Sequence, residues 1–368
     1  MKILHISDLH IGKKVHGFSM LPDQKYILEE VLQFIKKENI HLLLIAGDIY
    51  DQSIPSEAAI QLLDWFLNHL AAEKVKVCII SGNHDSNIRL GFGSNLLQSQ
   101  NIFIESVYTG KVVCHSFEDV DVYMVPFVKP ALVQPYFEDE KIDSYQKMME
   151  KILSTITLDA SKTNILMVHQ FITGAKICES EESNVGGLDQ ISAETFKNFD
   201  YVALGHLHSP QTMGKNIWYC GTLLKYSVDE IFQNKSMLLL NTKGHEVTVE
   251  KIPLHPQRDF IEIRGNYMEL TDRKYYEKLD TKSYIHVVLQ DENDVPNAFA
   301  RLQSIYPNIV KLSYDNARTQ KESEIETIDK IEQRNPLDLI EKFYEMQNNS
   351  KMNERQKRIV ENLWEETI

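Results

Sequence analysis

Five short clusters of Asp, Asn and His are the residues of this sequence whose types and spacing could do chemistry. Each follows a short run rich in Ile, Val and Leu. In an extended segment residues two apart point the same way, so a carboxylate and an imidazole can converge on one ion. A lone histidine such as His169 is more often structural, but five such clusters in series predict a metal centre. The clusters are Asp8-Leu9-His10, Gly47-Asp48-Ile49-Tyr50-Asp51, Gly82-Asn83-His84-Asp85, His169 and Gly205-His206-Leu207-His208.

The donor atoms in these clusters are oxygens and imidazole nitrogens, without a thiolate. This set favours manganese, iron or zinc over magnesium alone. The cysteines are scattered along the chain without a CxxC pair, so we expect reduced structural thiols rather than a disulfide or a thiolate metal site. They are Cys78, Cys114, Cys178 and Cys220.

This ordered series resembles the calcineurin-like metallophosphoesterase family over about the first 255 residues. The resemblance implies two divalent metal ions with Asp48 bridging both. It also implies catalytic roles for His84, which would protonate the leaving oxygen or stabilise the transition state, and for Asp51, which would orient His84. The implied ligands are Asp8, His10 and His208 for one ion, and Asn83, His169 and His206 for the other.

Such a pair of ions has a clear chemical use. Two cations roughly 3.5–4 Å apart lower the pKa of a bridging water and neutralise charge on a phosphate in transfer. Water would then attack the phosphate without a covalent enzyme intermediate. Asp51 and Asp85 could instead serve only to cap their loops, an alternative that the sequence leaves open.

The elements that must position these clusters alternate between apolar strands and amphipathic helices. Helices are predicted over Pro22–Lys37 and Pro55–Ala72, each with Pro near its first turn. Later runs indicate antiparallel pairing, NIFIES with KVVCHSF and DVYMVPFV, and NIWYCGT with SMLLLN and EVTVEKI. The expected fold is α/β: a layered mixed β-sandwich flanked by helices, with a small α+β capping domain and C-terminal helices.

We predict four segments along the chain. Residues 1–254 would form the metallophosphoesterase domain, and 255–315 the small capping domain with a β-α-β-α-β pattern. Residues 316–334 are charged and lack an apolar face, as in a linker. Residues 335–368 would form two amphipathic helices that bind a partner, with a capping box at Asn353 and Gln356. Their apolar stripes consist of Leu337, Ile340, Phe343 and Tyr344, then Ile359, Val360, Leu363 and Trp364.

The net charge and the hydropathy pattern limit the partners. The formal charge is −14, which is the wrong sign for a chain that grips DNA by itself, so metal ions, a local basic patch or a partner would have to supply positive charge. No run approaches the roughly 18 apolar residues of a membrane span, and the first residues lack a secretory signal pattern. We therefore expect a cytoplasmic protein without a membrane partner.

Wider stretches resemble the prokaryotic nucleases of this family that process DNA double-strand breaks. They include MKILHISDLHIGKKVHGFS, LLLIAGDIYDQSIPS, YVALGHLHSPQ and GTLLKYSVDE. The resemblance implies a manganese-dependent 3′–5′ exonuclease on duplex DNA and an endonuclease on single strands or hairpins. It also implies a homodimer within a heterotetramer that contains a coiled-coil ATPase, with roles in DNA repair, recombination and replication. Two alternatives remain: a phosphomonoesterase or cyclic-nucleotide phosphodiesterase of the same fold, and a non-catalytic metal-binding scaffold.

Overall fold

The structure is a computed structural model that describes residues 1–138, 140–178, 190–317, 319, 337, 340–341, 344 and 352–365. The chain divides into two compact units, Met1–Asp259 and Phe260–Ile368. Each unit has a hydrophobic core of its own. Among the residues described, no helix is both long enough and apolar enough to cross a membrane.

The strands of the first unit form two six-stranded mixed sheets and a small two-stranded ribbon, β2 with β3. The spatial order is β14-β13-β1-β4-β5-β6 in the first sheet and β11-β12-β10-β9-β8-β7 in the second. In chain order the strands are β1 (Lys2–Ile6), β2 (Lys14–Val15), β3 (Phe18–Ser19), β4 (Leu42–Ala46), β5 (Lys76–Ile80), β6 (Ile102–Glu105), β7 (Val113–Phe117), β8 (Val120–Val125), β9 (Thr163–His169), β10 (Tyr201–Gly205), β11 (Gln211–Thr212), β12 (Ile217–Tyr219), β13 (Ser236–Lys243) and β14 (Glu246–Pro253).

The first sheet is antiparallel at one margin only, where β13 pairs with β1 and β14, whereas the second sheet is antiparallel at both margins. Strands β1, β4, β5 and β6 run parallel in the first sheet, as do β8, β9, β10 and β12 in the second. Buried side chains from both sheets, among them Leu44, Ile80, Ile165 and Ala203, form one core between them. The predicted layered mixed β-sandwich is therefore confirmed. Because parallel neighbours end at the same edge, several loops of each sheet meet at one end.

The helices of the first unit are α1 (Leu21–Glu38), α2 (Glu57–Ala72), α3 (Asn87–Leu90), α4 (Ser94–Leu97), α5 (Pro130–Val133) and α6 (Tyr145–Ser154). Apolar residues at spacings of three and four bury one face of α1, at Ile27, Val31 and Ile35. Helix α2 begins after Ser56, whose side chain accepts a hydrogen bond from the Ala59 N–H, so Pro55 lies just outside the helix.

Two expected strand pairings are wrong. Strand β6 pairs parallel with β5 in the first sheet and not with β7, which pairs antiparallel with β8. Strand β12 belongs to the second sheet, whereas β13 and β14 pair antiparallel in the first, as predicted. An apolar run shows that a strand is buried, but its partner depends on contacts far away in the sequence.

The second unit follows the predicted β-α-β-α-β pattern. Three parallel strands stand side by side in chain order, and helical segments join them. Their core includes Leu270, Ile285, Leu302 and Tyr306, all fully buried. The elements are β15 (Phe260–Gly265), α7 (Tyr267–Leu270), α8 (Arg273–Tyr276), β16 (Tyr284–Leu289), α9 (Ala298–Gln303) and β17 (Ile309–Tyr314).

The tail contains helix α10 (Glu354–Glu365). The predicted capping box is confirmed, because Asn353 Oδ1 accepts from the Gln356 N–H at 3.0 Å and Gln356 Oε1 accepts from the Asn353 N–H at 2.9 Å. The predicted linker 316–334 lies outside the described residues except at 316, 317 and 319, as do the start of the first tail helix and the side chains of Phe343 and Trp364.

The core of the second unit provides a test of its separate stability. Leu302→Ala should cost about 2–5 kcal/mol, because it leaves a cavity beneath the parallel sheet. Phe299→Ala, a matched control on the same helix at 44% exposure, should cost far less. Hydrogen exchange followed by mass spectrometry should show faster exchange in β15, β16 and β17 for Leu302→Ala alone. Equal loosening of the first unit would contradict separate cores.

Candidate metal centre

The five clusters lie at the carboxyl ends of parallel strands from both sheets. Asp8 follows β1, Asp48 follows β4 and Asn83 follows β5, all in the first sheet. His169 is the last residue of β9, and His206 follows β10, in the second sheet. The two sheets therefore bring the predicted ligands together at their strand ends.

Three hydrogen bonds join the strand-end loops. The His206 N–H donates to Asp8 Oδ1 at 2.9 Å, and His169 Nδ1 donates to the Ala46 carbonyl at 2.9 Å, so each of these bonds crosses from one sheet to the other. Within the first sheet, the Asp8 N–H donates to the Gly47 carbonyl at 3.1 Å. Direct hydrogen bonds between the loops, and not only the two sheets beneath them, therefore fix the positions of the loops relative to one another.

Two groups of potential ligand atoms share Asp48. In the described part of the chain, the ligand atoms of His10, Asp48 and His84 lie within 4.8 Å of one another, and so do those of Asp8, Asp48 and His169. A carboxylate that belongs to both groups has the position expected of a residue that bridges two metal ions. His84, which we expect to act on the substrate, stands beside a predicted ligand.

The remaining predicted ligands fall on either side of Asp48. Asn83 Oδ1 lies 3.0 Å from His169 Nε2 and 2.9 Å from His206 Nδ1, so these three converge on one point. The His208 ring lies beside His10, with centroids 5.1 Å apart. Asp8 lies in the group of Asp48 and His169, whereas the resemblance assigns it to the ion of His10 and His208. The division of ligands between the two ions stays a prediction.

Buried atoms without partners test whether the residues fit metal ions. Both ring nitrogens of His10 and Asp8 Oδ2 are buried and accept or donate no hydrogen bond within the described residues. Because His169 Nδ1 donates to a carbonyl, Nε2 is the nitrogen that faces the Asn83 oxygen, at 3.0 Å. Native proteins rarely leave such atoms unsatisfied, and cations bound between them would satisfy all of them. The donor set fits divalent metal ions.

The pKa shifts of the clustered residues also indicate that the buried carboxylates are stabilised by positive charge. Burial alone would lower the pKa of His169, but the Asp48 and Asp8 carboxylates outweigh burial and raise it to about 9. Burial would raise the pKa of Asp48, yet the surrounding imidazoles hold it well below its usual range. Burial lowers the pKa of His206 to about 3, so this ring needs to lose no proton before it binds metal at neutral pH.

His84 is oriented by the backbone of Asp51 and not by its carboxylate. His84 Nδ1 donates to the Asp51 carbonyl at 2.9 Å, which leaves Nε2 as the second functional nitrogen. The Asp51 carboxylate instead pairs with Lys13 Nζ at 2.8 Å and lies 3.6 Å from His10 Nδ1. The expected contact between residues 51 and 84 is present, but the main chain makes it.

Asp85 clamps two of the loops together. Its carboxylate accepts from the N–H groups of Ile49, Tyr50 and Gly82, at 2.9–3.0 Å. Residues 49 and 50 belong to the loop of Asp48, and residue 82 to the loop of Asn83. The loop-cap role that the sequence left open is thus one that Asp85 performs.

Sequence reasoning missed two side chains that support the site. Gln24 at the start of α1 donates to the His10 carbonyl at 2.7 Å and accepts from the Gly12 N–H at 3.0 Å, which fixes the first loop. Phe127 stacks on His206 with ring centroids 6.5 Å apart. Nothing in the local sequence distinguishes Gln24 from the other polar residues of an amphipathic helix.

The family comparisons agree with this geometry. Residues 1–210 match the family model described as calcineurin-like phosphoesterase. Residues 256–348 match a second model, described as type 5 capsule protein repressor C-terminal domain. The first match contains every predicted ligand, and the second covers most of the second unit and extends into the tail.

Curated relatives match over most of the chain. The D subunit of the nuclease SbcCD from Staphylococcus epidermidis is 34% identical over 353 residues, which cover 94% of this chain and 92% of that protein. The protein of the same name from Staphylococcus saprophyticus subsp. saprophyticus is 34% identical over 321 residues, 85% of this chain and 84% of that protein. A solved dimetal phosphatase from Danio rerio is similar only at a TM-score of 0.39 and 10% identity, over 68% of this chain and 98% of that one, too low to bear on function.

The shared position of Asp48 generates a test of the ligand assignments. Asp48→Ala should abolish binding of both ions, because it removes the one carboxylate that faces both groups. His84→Ala should retain both, since a carbonyl-bound, partly exposed histidine is not needed to hold them. Elemental analysis of the purified variants measures the metal content. Stoichiometric loss of metal from His84→Ala, or one full site left in Asp48→Ala, would refute the roles.

Proposed function

The chain belongs to the calcineurin-like phosphoesterase family, and from this premise we propose that it is the DNA-hydrolysing nuclease subunit of an SbcCD-type complex. The observation that carries the proposal is the carboxylate of Asp48, shared by two ligand groups at the junction of both sheets. The 34% identity to nuclease subunits over 94% of the chain supports DNA as the substrate.

The residues of the site divide the chemistry between them. Asp8, His10, Asp48, Asn83, His169, His206 and His208 would hold two divalent ions, which supply Lewis-acid stabilisation of a phosphodiester in transfer. His84 Nε2 would donate a proton or a hydrogen bond to the leaving oxygen, because its other nitrogen is held by the Asp51 carbonyl. Lys13 holds the Asp51 carboxylate and thereby the loop that orients His84.

We propose that the site binds manganese. We also propose that water attacks the phosphate directly, without a covalent enzyme intermediate. Mixed imidazole and carboxylate donors suit manganese better than magnesium, which prefers oxygen ligands and retains its waters. We further propose 3′–5′ exonuclease action on duplex ends and endonuclease action on single strands or hairpins, in DNA repair, recombination and replication. The compartment that suits these roles is the cytoplasm.

A nuclease assay tests the function and the metal together. Linear duplex and hairpin DNA should be cut with manganese, more slowly with magnesium, and not in excess EDTA. Metal binding, and with it activity, should weaken as pH drops below about 9, because the metal must displace the proton that the neighbouring carboxylates hold on His169. His84→Ala should lose turnover. Cleavage of p-nitrophenyl phosphates without cleavage of DNA would instead favour a phosphomonoesterase or cyclic-nucleotide phosphodiesterase, and full activity in EDTA would eliminate metal catalysis.

We propose that the chain forms a homodimer through an apolar patch on α3, α4 and the turn between them. Ile88, Phe92 and Leu96 recur every four residues and are 84%, 87% and 79% exposed. Arg89 donates to the Ser53 carbonyl and holds the segment that carries Ile54, itself 69% exposed, against α3. Exposed apolar residues concentrated in this way mark interaction surfaces, and a two-fold axis would bury the same patch of both copies.

Sedimentation equilibrium tests the homodimer. Phe92→Asp should convert the dimer to a monomer, because two buried carboxylates would oppose each other near the axis. Phe232→Asp is a matched control, since Phe232 is also exposed, at 82%, but lies outside the patch. A wild-type monomer, or dissociation by the control alone, would refute this surface.

We also propose that residues 335–368 bind the SbcC-type ATPase. In α10 the apolar side chains of Ile359 and Leu363 are 51% and 58% exposed, at a spacing of four. The helix is tied to the preceding tail segment by a hydrogen bond from Gln356 to Tyr344 and by an ion pair of Lys357 with Glu341. Burial of such a stripe against a partner helix would contribute about 25 cal/mol per Å² of apolar area.

Truncation after Arg334 should separate docking from chemistry. The shortened chain should still cleave short single strands with metal, because all predicted ligands precede Ser209. It should fail to co-purify with the ATPase and lose ATP-stimulated cutting of long duplexes. Within the full chain, Ile359→Asp with Leu363→Asp should reproduce the docking defect, whereas Arg358→Asp on the same helix should not. Undiminished co-purification of the truncated chain would place the docking surface elsewhere.

A further inference from the structure

A buried carboxylate stands behind one of the predicted metal ligands. Glu230, at the end of a short 3-10 helix, Val228–Glu230, is fully buried. Its Oε1 lies 3.1 Å from His208 Nδ1. A carboxylate in this position accepts a hydrogen bond, so His208 Nδ1 carries the proton and Nε2 carries the lone pair. Nε2 is the nitrogen that such a tautomer offers to a metal ion.

Lys235 holds this carboxylate and His208 in one network. Its Nζ donates to Glu230 Oε2 at 2.6 Å and to the His208 carbonyl at 2.8 Å. It also donates to Thr222 Oγ1 at 2.8 Å. The side chains of Lys235 and Glu230 are 4% and 0% exposed. The lysine therefore supplies the counter-charge that lets Glu230 remain ionised away from water. It also holds the backbone of His208 through the hydrogen bond to its carbonyl.

The other imidazoles of the described site have different supports. His169 donates to the neutral carbonyl of Ala46, and His206 Nδ1 lies 2.9 Å from Asn83, which is itself a predicted ligand. A carboxylate behind a ligating histidine fixes its tautomer and ring orientation and raises its basicity more than a carbonyl does. The asymmetry predicts that the ion on the His208 side is the one whose affinity depends on this network.

We propose that Glu230, held by Lys235, is a positioning residue that fixes the tautomer and orientation of His208 and so sets the affinity of one of the two metal ions. The inference rests on the proposed two-metal function. Removal of Glu230 should lower the affinity for the ion on the His208 side. The affinity for the ion held by Asn83, His169 and His206 should not change. A purely structural ion pair would instead affect stability without distinguishing the two ions.

Manganese titration by calorimetry and electron paramagnetic resonance tests this selectivity. Glu230→Gln should lower the affinity for one of the two manganese ions by about 10–100-fold. Asp121→Asn is the matched control, since Asp121 is 5% exposed, pairs with Lys162 at 2.8 Å and contacts no ligand. The control should change metal-free stability without changing either affinity. In a His208→Ala background, Glu230→Gln should cause no further loss, because its effect passes through His208.

The tautomer of His208 in the wild-type, metal-free chain gives a second measurement that does not depend on a variant folding. Nitrogen-15 correlation spectra should show a proton on Nδ1 and none on Nε2, and a proton on Nε2 alone would overturn the proposal. Two manganese ions bound by the wild type with unchanged affinities in Glu230→Gln would overturn the positioning role alone. A wild-type chain that binds no manganese would overturn the proposed function and, with it, this inference.

Discussion

The buried carboxylate of Asp48 is the charge on which the rest of the site depends. It is 2% exposed and stands where loops from both sheets meet. A carboxylate removed from water is costly unless positive charge compensates it. In the protein chain alone, that compensation is a proton on His169, whose pKa is raised to about 9. Divalent ions would replace that proton, so metal binding and the stability of the strand-end loops are physically coupled.

The same convergence imposes backbone strain that the surrounding structure holds in place. Asp8, His10 and Asp48 all have positive φ angles, 52°, 44° and 49°. Such conformations cost of order 1–3 kcal/mol each and persist only where neighbouring contacts fix them. Gly205 illustrates how tight the junction is, since a side chain there would meet the Ala46 carbonyl and the His169 ring. Hydrogen bonds between the loops help to hold these backbone conformations.

Much of this arrangement could be predicted because its physical causes are local. Short Ile, Val and Leu runs that end in Asp, Asn or His define both the strands and the ligands, and the capping box at Asn353 has a signature four residues long. The partners of β6 and β12 could not be predicted, since alternating burial does not specify a neighbour. The backbone contact of Asp51 with His84 was also hidden, because a motif records side chains and not carbonyl groups.

The charges near the site bear on how an acidic chain can bind a polyanion. Lys13 is paired with Asp51, and Lys235 is paired with Glu230 behind His208. These lysines neutralise the protein's own carboxylates and so offer little positive field to DNA. Metal ions would supply the positive charge at the scissile phosphate, where charge builds up during transfer. They cannot supply it along the flanking duplex, because a net charge of −14 repels the neighbouring phosphates. Positive charge along the duplex would have to come from a local basic patch or from the partner that we propose for the exposed apolar stripe of α10.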